Sequence, residues 1–192
     1  MSDASLPRIA GGHRLVVVVG PSGAGKDSVL RAWRASLGAG APEAARRVIT
    51  RAPDESESHE AVTPADFAGL RERGLLATWW HGHGLDYGVR RSELAPLADG
   101  RWVWLNGSRA HLPALRAQAP GLRVVSVTAP AHLLASRLAA RGREGAAARD
   151  ARLARTIAAP VQADLGLVND GDLAACVAAL SGWWDALRHA QA

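Results

Sequence analysis

One cysteine, one lysine and one tyrosine occur in the 192 residues, and each scarcity excludes something. Cys176 alone can form neither an intrachain disulfide nor, without partners, a zinc site. No apolar run approaches the roughly 20 residues of a membrane span, and the most strand-like of them, Leu15 to Val19, is five residues long. The leader Met1 to Arg14 carries Asp3 and two glycines but no apolar stretch ahead of a small-residue cleavage site. The expectation is a cytoplasmic protein with no membrane partner. Acidic and basic side chains number 18 and 23, for a net charge of +5. Because the basic ones are interleaved with Asp and Glu instead of forming a tail, no nucleic-acid partner is expected, and the excess points to small anionic substrates.

What is present reads as one domain over residues 1–192, with 48% apolar side chains and enough length to bury about 70% of the unfolded chain's surface. Apolar runs suited to buried strands fall at Leu15 to Val19, Val48 to Thr50, Trp102 to Leu105, Val124 to Thr128 and Leu165 to Val168. Segments of helical period separate them, so the fold class is α/β with a five-stranded parallel sheet and helices on both faces. The rhythm breaks twice. An insertion at about 54–88 carries a short helix and the Trp79-Trp80 strand; Arg-bearing helices joined through Gly142 and Gly145 suggest a lid at about 137–155. The core is then about 14–53 and 89–188. Cys176 shares helical spacing with Leu173, Val177, Leu180, Trp183, Trp184 and Leu187, which marks it as a core residue.

The lone lysine stands in Gly20-Pro21-Ser22-Gly23-Ala24-Gly25-Lys26-Asp27-Ser28, directly after the first strand and before an amphipathic helix. This is the P-loop context. Glycines let successive backbone N–H groups converge on phosphate oxygens, the helix N-terminus adds partial positive charge, and Lys26 reaches the β- and γ-phosphates. All nine residues are candidate ATP contacts. The other 22 basic residues are arginine, so position 26 requires a compact ammonium.

One departure concerns the metal. Ser or Thr is expected after the lysine to hold Mg2+ by its hydroxyl, and this chain has Asp27. A carboxylate beside a triphosphate is repelled unless a cation lies between them, so Asp27 is the metal-side candidate and Ser28 the alternative. The third strand ends on neutral Asn106, where P-loop kinases often place an acid. The carboxylate has in effect moved from strand end to loop.

Gly20 to Ser28, Thr50-Arg51-Ala52-Pro53, Leu85-Asp86-Tyr87-Gly88-Val89, Asn106-Gly107-Ser108-Arg109-Ala110-His111-Leu112-Pro113 and Arg141-Gly142-Arg143-Glu144 together resemble the ribose 1,5-bisphosphate phosphokinases. These belong to the guanylate-kinase-like branch of P-loop kinases, and the resemblance runs from about Arg14 to Leu187. It implies transfer of the γ-phosphoryl group of Mg·ATP to ribose 1,5-bisphosphate, giving 5-phosphoribosyl diphosphate in phosphonate breakdown. Guanylate kinase is the nearest rival, and a catalytically silent binding module of the same fold is a third reading. Against the rival, the guanine-reading glutamate falls at Thr78, the phosphate-binding tyrosine falls at His59, and Asp54 follows Pro53 where a second arginine is expected. A guanine site without its acid is a poor one.

For the acceptor phosphates the candidates are Arg51, His59, Tyr87 and Arg109, with packing against Trp79 or Trp80 as the competing role for Tyr87. Between 137 and 155 stand six arginines. Arg137, Arg141 and Arg152 are assigned to charge developing on the moving phosphoryl group, and Arg143, Arg149 and Arg155 to a solvated face. His81 and His83 decorate a turn, with no zinc site. Asn169-Asp170 ends the last strand in a segment resembling one near the adenine in guanylate kinases, and is expected to turn the chain and cap the final helix.

Overall fold

A computed structural model describes residues 6–52, 58–140 and 161–190. Its strands are β1 (Leu15–Val19), β2 (Glu43–Ala45), β3 (Arg47–Ile49), β4 (Glu60–Ala61), β5 (Leu76–Gly82), β6 (Leu85–Arg90), β7 (Val103–Asn106), β8 (Arg123–Thr128) and β9 (Leu165–Val168). The α-helices are α1 (Lys26–Leu37), α2 (Pro64–Glu72), α3 (Arg91–Leu94), α4 (Leu112–Gln118), α5 (Ala131–Ala140) and α6 (Leu173–His189). One sheet is five-stranded and parallel, in the order β2-β7-β1-β8-β9. All five residues of central β1 are buried, as a continuous Val run predicts for a strand covered on both faces.

A second sheet, ordered β4-β3-β6-β5, pairs β3 with β4 in parallel and β6 with both β3 and β5 in antiparallel fashion. Val48 to Thr50 was expected in the parallel sheet, but Arg47–Ile49 belongs to this second sheet, and Glu43–Ala45 takes the parallel place beside β7. The reason lies in composition. Glu43-Ala44-Ala45 is a three-residue edge strand with one fully buried side chain, so it carries no apolar run to recognise.

Chain contacts group into two compact units, one of residues 1–17 and 42–123, the other of 18–41 and 124–192. In the first, Val48, Phe67, Leu70 and Leu76 form a buried cluster with Val62 and Trp79 against it. Burying a side chain such as Phe67 stabilises by roughly 1.5–3 kcal/mol. Thr63 caps α2 by accepting from the Asp66 N–H and donating to its carboxylate, with Pro64 in the first turn. β5 turns into β6 through His83 and Gly84, both at positive φ (55° and 73°), as a tight hairpin demands. In the second unit α1 and α6 pack through Trp33 and Trp184, edge to face at 5.7 Å. Cys176 is buried beside them, and burial, helped by Asp170 and Asp172, pushes its thiol pKa up. It is a packing residue. Among the described residues no helix is long and apolar enough to cross a membrane.

Candidate active site

In the second unit the chain leaves buried β1 and makes a loop of residues 20–25 before α1 begins at Lys26. The loop depends on glycine at particular places. At Gly25 the backbone has φ +82°, and a Cβ would lie 2.2 Å from the Asn169 Nδ2. At Gly20 a Cβ would lie 2.0 Å from the Val127 carbonyl oxygen. Neither position accepts a side chain.

Three side chains hold the loop's carbonyl groups. Lys26 Nζ donates to the carbonyls of Gly20 (3.0 Å) and Pro21 (3.1 Å). Arg137, from α5, donates through Nη1 to the Gly23 carbonyl at 3.3 Å. Asn169, at the end of β9 and only 5% exposed, donates through Nδ2 to the Ala24 carbonyl at 2.8 Å. Lys26 and Arg137 are therefore brought to one loop. Asn169 is the residue the sequence reading misplaced. The cap of α6 is Asp172, which accepts from the Ala175 N–H, while Asp170 accepts from the Asp172 N–H. Arg141, Arg152 and most of the expected lid lie outside the described residues, as do Pro53 and Asp54.

Asp27 is the acidic residue in the first turn of α1 and is half-buried, whereas Ser28 is exposed. Among the described residues no three His, Cys, Asp or Glu side chains gather as a metal cage. Mg2+ carried on nucleotide phosphates needs only one or two protein carboxylates. An oxygen donor at the head of α1 fits that requirement.

The acceptor candidates all belong to the first unit, and of the four only Arg51 and His59 are shown in contact. Arg51 follows β3 and lines a cavity of about 340 Å3 together with Thr50, Ala52, Ala61, Val62, Thr63 and Asp66. His59 Nε2 donates to the Arg51 carbonyl at 3.2 Å, so this ring nitrogen serves the loop that carries the arginine. Arg109, half-buried beyond β7, has its pKa lowered by burial; a guanidinium keeps its charge nonetheless. Asn106 ends β7 and is 6% exposed.

Tyr87 is held in a column of rings. It stacks on Trp80 at 5.4 Å and 4°, Trp80 stacks on His111 at 5.0 Å and 20°, and the Arg47 guanidinium carbon lies 5.5 Å from the Tyr87 ring centroid. Packing against Trp80 is thus a real role of Tyr87. Beneath the column Thr78 is fully buried. Its hydroxyl donates to Gln118 Oε1 at 2.9 Å and lies 2.6 Å from His111 Nε2. Gln118 Nε2 donates to the carbonyls of Ala77 (3.0 Å) and Pro7 (3.3 Å), which fixes its amide oxygen as the acceptor. The Thr78 proton is therefore spent, and neutral His111 carries its proton on Nε2 and donates. Burial lowers the His111 pKa and favours this neutral form. Neither His111 nor Gln118 was singled out in sequence, though His111 lies in the Asn106 to Pro113 segment.

No family model matches the chain. A ribose 1,5-bisphosphate phosphokinase PhnN of Acidiphilium cryptum is 49% identical over 171 residues, covering 88% of this chain and 91% of that protein. The protein of the same name from Pseudofrankia inefficax is 45% identical over 160 residues, covering 83% and 84%. Among solved structures, guanylate kinase of Anaplasma phagocytophilum superposes with a TM-score of 0.66 at 20% identity, covering 95% of this chain and 86% of that one. At that identity the likeness is one of fold.

Proposed function

The chain belongs to the ribose 1,5-bisphosphate phosphokinase family, and on that premise we propose that it transfers the γ-phosphoryl group of ATP to ribose 1,5-bisphosphate, giving 5-phosphoribosyl diphosphate and ADP. An oxygen of the acceptor's 1-phosphate attacks the γ-phosphorus in line while the bond to the β-phosphate's bridging oxygen breaks. A phosphate oxygen is already a nucleophile, so no general base is required.

The work of the protein is therefore positioning and charge. The N–H groups of residues 20–28, Pro21 having none, cradle the triphosphate, and Lys26 leaves the loop carbonyls to meet the β- and γ-phosphates. Arg137 swings from the Gly23 carbonyl onto the charge that spreads over the moving group, and Arg141 and Arg152 share that role in the proposal. Asp27 is the residue that would hold Mg2+, and the ion would supply neutralising charge to the phosphates. Arg51, His59, Tyr87 and Arg109 receive the acceptor's phosphates, with residues 54–88 as the acceptor-binding insertion of one kinase domain. A cytoplasmic location is part of the same proposal.

The observation that supports this reading most is the convergence of Lys26 and Arg137 on the carbonyls of one glycine-rich loop. The guanylate kinase alternative is disfavoured by Thr78. Where a base-reading acid would stand, that hydroxyl is fully buried and committed to Gln118. A coupled assay offering ribose 1,5-bisphosphate, ribose 5-phosphate and GMP tests the proposal. Turnover is expected on the first; a preference for GMP would overturn the acceptor assignment.

A further inference from the structure

The Asn169 amide stands 145 residues from the loop it touches, does not cap α6, and has no part in the chemistry above. Its Nδ2 lies at 2.8 Å from the Ala24 carbonyl and occupies the space a Cβ on residue 25 would need. Those two facts constrain a single peptide unit. The Ala24–Gly25 peptide is planar and trans, since the described backbone contains no cis bond, so its C=O and N–H point in opposite directions. Drawing the Ala24 oxygen toward Asn169 turns the Gly25 N–H the other way. In a P-loop that N–H is among the donors to the bound phosphates.

We propose that Asn169 is a positioning residue for the phosphate loop, which by holding the Ala24 carbonyl aims the Gly25 N–H at the triphosphate. The inference rests on the nucleotide-binding reading of the loop. Burial strengthens it, because at 5% exposure Asn169 has little competing water for this bond. The effect acts on the phosphates and not on the nucleoside, which makes it separable from any contact with a base.

Inorganic tripolyphosphate is the probe, with adenosine as its counterpart. Asn169→Ala removes the donor, and Asn169→Asp keeps the shape while setting an acceptor oxygen against the Ala24 carbonyl. Both variants are expected to bind tripolyphosphate about tenfold more weakly than the parent, the scale of one buried hydrogen bond. Adenosine affinity should be unchanged, and KM for ATP should rise while KM for the acceptor stays put. A fall in melting temperature with unaltered tripolyphosphate binding would mark Asn169 as merely structural and overturn the proposal. A loss of adenosine affinity with tripolyphosphate unaffected would overturn it in favour of a base contact. If the parent itself bound neither tripolyphosphate nor ATP, the nucleotide reading would fall and this inference with it; equal binding by parent and variants sinks the Asn169 role alone. Should Asn169→Ala not fold, the isosteric Asn169→Asp supplies the same readout.

Discussion

The two compact units build their chemistry by different means. In the unit of residues 18–41 and 124–192, the proposed phosphate cradle is backbone, running from the loop after β1 into the first turn of α1, with Lys26, Arg137 and Asn169 bonded to its carbonyls. In the unit of residues 1–17 and 42–123, the candidate site is made of side chains. Tyr87 is held by Trp80, Trp80 by His111, His111 by Thr78 and Thr78 by Gln118, residues that come from β5, β6, α4 and the position before it. A backbone site tolerates little change at a few contiguous positions. A side-chain site distributes its sensitivity over residues that never touch substrate.

The largest effect is expected at Lys26. Lys26→Arg preserves charge but brings a planar fork into a loop shaped around a compact ammonium, and turnover should fall by about a hundredfold or more, the scale of a lost transition-state donor. A thermal melt matching the parent beside that loss would confirm that the cradle fails in chemistry and not in folding; near-normal turnover would break the contrast.

Thr78→Val is the matching test of the side-chain unit. It removes a hydroxyl that serves two partners and leaves the Gln118 oxygen and the His111 Nε2–H without it in a buried place, at a cost of about 1–3 kcal/mol for each unsatisfied group. Denaturant unfolding should register the loss, and KM for the acceptor should rise as the Tyr87 column loosens, with KM for ATP unmoved. Unchanged stability would mean that the network contributes little.

Asp27→Ala sharpens the same contrast within the cradle. The Mg2+ requirement is expected to rise about tenfold, as for loss of one charge-assisted ligand contact. A helix-terminus role alone would instead cost roughly 0.3–1 kcal/mol of stability and leave the metal dependence as it was. A parent-like Mg2+ titration would transfer the role to Ser28.

Acid should act on the first unit by a smaller amount. The His111 pKa lies below the ordinary 6.5 because burial disfavours the imidazolium. The unfolded chain therefore binds a proton that the folded one refuses, and stability present above pH 6.5 declines between 6.5 and the lowered folded value, by at most about 1.4 kcal/mol per pH unit for one group. His111→Gln should flatten that part of a melting-temperature profile. Glu60 works at lower pH with a smaller weight. The Arg90 guanidinium, bonded at 2.7 and 2.5 Å, holds its carboxyl below the usual 4.5. Stability is lost as pH falls from 4.5 through that lowered value, and for a partly exposed pair the amount is about 0.2–1 kcal/mol. Glu60→Gln melts followed from pH 5 to 3 would show it.

By itself the sequence determined the central strand, the loop after it, the head of α1 and the α/β class, because each follows from neighbours in the chain. An uninterrupted Val run is buried, glycines at 20, 23 and 25 permit positive φ, and an apolar stripe of spacing three and four makes a helix. Tertiary structure alone decided that Glu43–Ala45 and not Arg47–Ile49 lies beside β7, since the pairing of short edge strands depends on which partner is present and not on their own pattern. It also decided three polar contacts. Thr78 finds His111 and Gln118 at separations of 33 and 40 residues, and Asn169 finds Ala24 at 145. A buried polar group must be satisfied wherever the fold puts it, and its partner is whichever group the packed chain has carried within 3 Å, a fact that no local pattern contains.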